Sequence, residues 1–545
     1  RVSQDDHLSL SSEVSKFNYV LPIGYELPSR HAISRYLHGF INGFHPHFPI
    51  IHPQTLSLRE MAPEFTLALA AVGSQYCLES HQGLKLFSIA RTIAIEKVRL
   101  RDLEKDQSLV VHPPASYPQT PISPGVRSVE GLNQEMAQQI PGPDNDHALV
   151  ETMQALFFLM AMSTWGGENR SLVRQAISTQ SILAMLVRQH GLTETYATPK
   201  DQAWKQWARA ESARRLKLIV FSFFNLHTLV FNLPSPLMIA DIQLRLPCSE
   251  SEWKAPDSDS WFSVHQKSQP SPQSQESISE LLQNGSGSPL CSSLGSHVLI
   301  HALLQHVFST RHSTQLENKE EVTGPGHSNT LRQALKKWQK GCELNPESSP
   351  SPLDKHGPIA FNSTALFHLA YIRLVIDIGP ARSLLEQNHV QIATRLKDQP
   401  KLQRGPMLVL AARHATAALS SPVQMGVYFV SRVPNWSVMH AVCALEYAYI
   451  LNQFLQATTA PDLDYPLESD ERALLNAIKE TLREVESSTP NGSPRAIDTM
   501  PQLLGSKAVR AWALILQGMK TWSTVDLITR TLFMYAKLLE GGDGP

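Results

Sequence analysis

The chain has 545 residues, 42% of them apolar and 18% charged, with 48 basic against 49 acidic side chains and a formal net charge of -1. That length predicts two or more packed units, and the charge balance argues against this chain gripping nucleic acid alone, because phosphate contacts need a basic excess. The five cysteines, Cys77, Cys248, Cys291, Cys342 and Cys443, contain no CxxC pair, which excludes zinc fingers and thioredoxin-type redox motifs and suits a reducing compartment.

The chain opens at Arg1, which predicts a piece of a longer protein with a domain upstream and a leader over residues 1–27. The first distinctive stretch is "FHPHFPIIHP", Phe44 to Pro53. Pro46 and Pro49 hold their neighbours extended, so a stiff non-helical connector is predicted. Phe44, Phe48 and Ile50 then insert into a core, with His45 and His47 facing outward and His52 buried beside a hydrogen-bond partner. The rival reading takes His45, His47 and His52 as metal ligands, although a catalytic zinc site needs three protein ligands and an open position.

Helical rather than alternating periodicity dominates the rest. Leu84, Phe87, Ala90, Ile93, Ala94 and Val98 form one stripe over 80–102. A second helix spans 168–190 and stops at Gly191, and a third runs through Trp204 and Trp207 with Pro199 in its first turn. Later helices are predicted near 296–311, 328–342, 361–377, 407–420, 435–457, 467–486 and 507–540. Four stretches rich in proline, serine and glutamine, beginning at Val110, His265, Asn284 and Asn345, are predicted to be loops or disordered linkers. No β-hairpin signal and no fixed-period repeat appears, so the expected class is all-α: two helical lobes, 28–264 and 296–545, joined by a linker over 265–295. No apolar run long enough for a bilayer is found; the strongest, from Leu216, is broken by Lys217, Asn225, His227 and Asn232. Sequons at Asn169, Asn362 and Asn435 carry no weight without a secretory signal.

Little here resembles catalytic machinery. His297 and His301 share a helical face, but Val298 stands where a metalloprotease would need glutamate, and His306 lies on another face. Two half-buried polar residues are expected instead. Glu211 is spaced for intrahelical ion pairs with Arg214 and Arg215, about 0.2–0.5 kcal/mol each. No phosphate-cradling GxxxxGK, GxGxxG turn or GxSxG elbow is present, and the acidic pairs Asp5–Asp6 and Asp144–Asp146 lie in loop-like sequence. No catalytic residue and no metal ligand is assigned.

In order, "RYLHGFINGFHPHFPIIHP" from Arg35, "PEFTLALAAVGSQY" from Pro63, "LFFLMAMSTWGG" from Leu156, "WKQWARAESARRL" from Trp204 and "LPSPLMIADIQLRLPCSESEW" from Leu233 resemble the fungal-specific transcription factor domain, or middle homology region. "FNSTALFHLAYIRL" from Phe361 and "NWSVMHAVCALEYAYIL" from Asn435 resemble the downstream half of members with Cys2His2 fingers. The resemblance covers roughly residues 30–460. It implies an all-helical regulatory domain of a nuclear regulator of RNA polymerase II transcription, with zinc, and the contact to DNA, confined to an N-terminal Cys2His2 or binuclear-cluster domain outside this chain. It makes the Phe44–Pro53 stretch a core-pinning loop. Expected partners are DNA through that domain, co-regulator proteins, a small-molecule effector and a second copy of the chain; no membrane is expected. The helices around Phe157–Met162 and Phe221–Phe231 are the candidate walls of an effector pocket, against a reading as plain core. The alternatives are an all-α metal-dependent enzyme and a helical scaffold without a nuclear role.

Overall fold

A computed structural model describes residues 1–111, 143–167, 170–194, 203–283, 285, 287–316, 325–430, 432, 436–460, 465–490, 492–519 and 521–541. Among the described residues there is no strand, only two isolated bridges, Thr193 to Gln243 and Arg245 to Gln273. The chain is all-α. It divides by packing into two compact units, Arg1–His38 with Leu56–Leu159, and Gly39–Thr55 with Met160–Pro545.

In the first unit, α1 (Gln4–Ser15) starts at a capping box in which Ser3 and Asp6 satisfy each other's backbone amides. It is followed by α2 (Arg30–Gly39), α3 (Pro63–Tyr76), α4 (Ser80–Val111) and α5 (Pro143–Trp165), whose residues through Leu159 belong here. α3 opens with proline in its first turn and is apolar on all sides, so it is buried from Pro63 to Gln75. α3 and α4 form a tight antiparallel hairpin. Gly83 permits its closeness, since a Cβ there would lie 2.3 Å from the Ser74 hydroxyl and 3.1 Å from the Ala71 carbonyl. Glu64, fully buried on α3, is neutralised by Lys97 Nζ at 2.8 Å and accepts from Thr152 Oγ1 at 3.0 Å.

The second unit contains α6 (Arg170–His190), α7 (Trp204–Phe231), α8 (Glu250–Trp253), α9 (Ser258–Lys267) and α10 (Ser274–Leu282). Then come α11 (Ser293–Leu316), α12 (Pro325–Leu344), α13 (Ile359–Val375), α14 (His389–Lys397), α15 (Pro406–Met425) and α16 (Val427–Val430). α17 (Val438–Thr459), α18 (Ser469–Ser488), α19 (Ala496–Thr499), α20 (Leu504–Leu516) and α21 (Ser523–Leu539) complete it. Its core lies where α11 packs on α7 and α13, and where α15, α17 and α20 continue the packing. α7 is buried continuously from Arg215 to Phe231, and α17 from Val438 to Leu455. Helices enclosed on every side explain why these segments read as apolar runs rather than stripes.

Several expectations change. Asp5 and Asp6 lie in the first turn of α1, and Asp144 and Asp146 lie in α5, rather than in loops. Part of the expected 265–295 linker is the amphipathic helix α10, which buries Ile278 and Leu281 while Ser274 Oγ donates to the Ile242 carbonyl at 3.1 Å. The single helix expected over 507–540 is two, α20 and α21, separated by a turn in which Gly518 takes a left-handed φ of +108°. One segment, Asp146–Trp165, is after all long and apolar enough to cross a bilayer, but 94% of its most apolar window is buried inside the protein. The helix expected to hold Pro199 in its first turn instead begins at Trp204 behind an extended Ala203. The linker from Val110 lies, beyond Val111, outside the described residues, as do Pro199, Asn169 and Asn435.

Candidate functional site

The loop that follows α2 begins with one π-helical turn, Phe40–Phe44, and the expected extended geometry before Pro46 is not adopted. His45 stays in helical geometry and the His47 and Phe48 amides donate to the Phe44 and His45 carbonyls, so the chain leaves the turn only after Phe48. Phe44 and Phe48 stack with ring centroids 5.1 Å apart, and Phe48 meets Phe223 of α7 edge-on at 5.7 Å. Phe44, Phe48, Ile50 and Ile51 are all buried, so the loop inserts as expected. Arg215 of α7 donates to the Pro49 carbonyl at 3.4 Å, and Ser212 donates to that of Ile50. The histidines do not face outward. His45 Nε2 bonds the Ile51 carbonyl at 2.8 Å, and His47 Nδ1 accepts from Asn362 Nδ2 of α13 at 3.1 Å. His52 Nδ1 meets Thr55 Oγ1 at 3.0 Å. Burial pushes the His45 and His52 imidazoles down to about 4, so both are neutral at physiological pH. The three rings are held by separate partners, and no metal-ligating group of three His, Cys, Asp or Glu occurs among the described residues. Asn362, a sequon residue, is fully buried in this contact.

Glu211, Arg214 and Arg215 are not a surface pair set. Glu211 is enclosed, accepting from Arg215 Nε at 2.9 Å and from the Cys248 amide at 3.0 Å while also pairing with Arg214. Burial opposes its ionisation, yet the two guanidinium groups and these hydrogen bonds hold its carboxyl below the ordinary value. Arg215 also lies over the Trp253 ring, 3.8 Å from its centroid. The cluster ties the inserted loop, α7 and the segment before α8 together, which makes its role structural.

His297 and His301 are fully buried rather than half-buried. His297 Nδ1 bonds Ser363 Oγ of α13 at 2.9 Å, and the two rings meet edge-on at 4.8 Å. Burial lowers both pKa values.

Sequence reasoning missed a buried charge network between α13, α17 and the turn after α13. Arg373 donates Nε and Nη2 to the two oxygens of Glu446, at 3.1 and 2.5 Å. Arg382 reaches the same carboxylate at 3.2 Å and Asp377 at 3.4 Å, and donates to the Thr228 and Leu229 carbonyls at the end of α7. The signal was available: a lone arginine in the last turn of one strongly apolar helix and a lone glutamate inside another require partners when buried.

Beside Arg373 lies a cavity of about 80 Å³. Asn225, Thr228 and Leu229, from the expected Phe221–Phe231 wall, line it together with Leu304 and Phe308 of α11. The other expected wall, Phe157–Met162, takes no part in this cavity.

The model of the fungal specific transcription factor domain matches residues 37–340, and that of the fungal transcription factor C-terminal domain matches residues 377–534. The chain belongs to the fungal-specific transcription factor domain family. The family is one of transcription regulators rather than enzymes, in accord with the ordered motifs from Arg35 to Trp253. A curated relative, zinc finger protein klf1 of Schizosaccharomyces pombe, is 22% identical over 394 residues, covering 68% of this chain and 45% of the relative. The chain thus spans about half of that relative's length. No solved structure matches it.

Proposed function

We propose that this chain is the regulatory and interaction portion of a sequence-specific transcription factor that acts in the nucleus on RNA polymerase II transcription. The two successive family matches, spanning residues 37–340 and 377–534, carry the reading. The relative's name supports zinc-dependent DNA recognition by a part of the protein outside this chain, and a net charge of -1 supports leaving DNA contact to that part. The reading assigns no metal, cofactor or catalytic residue here. The helical body holds a DNA-binding or activation segment in check and releases it when an effector or co-regulator binds; a second copy of the chain is a further partner.

The chain fused to a heterologous DNA-binding domain is expected to change output of a cognate reporter severalfold relative to that domain alone. By itself it should enrich no sequence from a random oligonucleotide pool at physiological salt. An unchanged reporter, or enrichment of one DNA motif by the isolated chain, overturns the reading.

A further inference from the structure

The cavity beside Arg373 has an asymmetric chemistry. Leu229, Leu304 and Phe308 give it an apolar wall, and Met238, substantially exposed, stands at its rim. Its amide side chains are already committed. Gln305 Nε2 donates to Asn225 Oδ1 at 3.2 Å and to the Leu237 carbonyl at 2.9 Å, while its Oε1 accepts from the Ile239 amide at 2.9 Å. Asn225 Nδ2 donates to the Phe221 carbonyl at 3.0 Å.

Arg373 differs. It is 3% exposed, its Nε and Nη2 are taken by Glu446, and Nη1 makes no hydrogen bond to the described residues although the side chain lines the cavity. Glu446 is shared with Arg382 at 3.2 Å, and Asp377 also pairs with Arg382 at 3.4 Å, so two carboxylates face the two guanidinium groups at this point. A guanidinium with a spare N–H edge selects a hydrogen-bond acceptor, and an ionised acceptor makes the shorter and stronger bond.

We infer that this cavity binds a small aliphatic monocarboxylic acid, its carboxylate on the Arg373 edge and its short tail against Leu229, Leu304 and Phe308. The cavity is roughly half the volume of a ~150 Å³ cavity known to accept benzene, which limits the enclosed part to on the order of three heavy atoms, with the rest of the acid at the open rim. An acid seated there touches the end of α7, the middle of α11 and the last turn of α13, and thereby favours the arrangement in which the three are packed. As the effector of the regulatory reading, it rests on that reading for its biological meaning but not for its binding.

The test uses the purified full chain at neutral pH and fixed ionic strength, with isobutyrate, butyrate and isovalerate as probes, and isobutyramide and isobutanol as uncharged controls. Saturation-transfer NMR and melting are expected to show saturable binding of an acid, with a dissociation constant of about 1 mM or tighter, and none of the controls. Met238→Trp, at the rim, and Leu304→Phe, in the wall, should each weaken binding by about tenfold or more while circular dichroism remains native. No saturable binding of any acid overturns the site, equal binding of amide and acid overturns the ligand class, and wild-type affinity in both folded variants overturns the location. An acid that binds at this site yet leaves the fusion reporter unchanged removes the effector role and leaves the site standing.

Discussion

A buried aromatic and a buried histidine ask different questions of a sequence. Phe44, Phe48 and Ile50 could be placed inward from residue type alone, because large apolar side chains are the ones most often buried. The orientation of His47 could not, since its partner Asn362 is 315 residues away and hydrogen-bond pairing between distant segments leaves no periodic trace. The same holds for Arg373 and Glu446, 73 residues apart. Truncation of Phe48 to Ala is expected to cost about 3–5 kcal/mol, as other buried aromatic deletions do. Replacing His45 and His47 together by Gln, which would be nearly silent on a surface loop, should instead cost about 1–3 kcal/mol for each hydrogen bond left unmade. Urea denaturation of both variants checks this. A double-histidine variant as stable as wild type would mean that the rings face water, and a chelator-sensitive wild type would restore them as ligands.

Among elements, legibility follows enclosure. Helices with an unbroken apolar run, such as α17, lie close to where the sequence places them, whereas α4 runs on to Val111, past its expected end at 102, and α7 starts only at Trp204. α10 is hidden by composition: "SQESISELL" is mostly polar, and only the three-residue spacing of Ile278 and Leu281 marks its buried face. The break between α20 and α21 rests on the left-handed conformation of Gly518, a signal diluted by the helical periodicity on both sides. Close packing of two helices is harder still to read, and Gly83 is the instance with a sharp consequence. Alanine there is a better helix former by about 1 kcal/mol, yet its Cβ would collide with Ser74 and crowd the Ala71 carbonyl across the hairpin. Overpacking of this kind costs about 1–3 kcal/mol, so Gly83→Ala should lower the denaturant midpoint despite the propensity gain. A raised midpoint would show that α3 and α4 have room to separate.

For the whole molecule, the charge balance of -1 hides an uneven distribution of titratable groups between surface and core. Nine of the described histidines of the second unit, His45, His52, His227, His297, His301, His306, His368, His414 and His440, have pKa values pushed below 6.5, mainly by burial. Several pack on each other or on aromatic rings: His368 and His414 share an Nδ1–Nδ1 contact of 3.0 Å, His414 stacks on Tyr371 at 3.9 Å, and His440 stacks on Phe361 at 4.1 Å. No single motif announces such a set, because the rings are spread over the inserted loop, α7, α11, α13, α15 and α17. Its consequence is collective. Above about pH 6.5 a histidine is largely neutral whether the chain is folded or not, so the rings leave stability nearly independent of pH. Below it the unfolded chain takes up protons that the folded core refuses, until pH reaches the folded values, which are about 3 to 4 for those with a defined shift. One unit below the unfolded pKa, each excluded proton costs on the order of 1 kcal/mol, and several together approach the ~5–15 kcal/mol that holds a typical native domain. The melting temperature should therefore be nearly flat from about pH 8 to 7 and fall steeply between about pH 6.5 and 5, before most carboxylates titrate. Replacing His414 by Phe, which retains a ring to stack on Tyr371 and removes one excluded proton, should make that fall shallower. A melting temperature unchanged down to about pH 5 would mean that the rings are solvated and charged in the native protein.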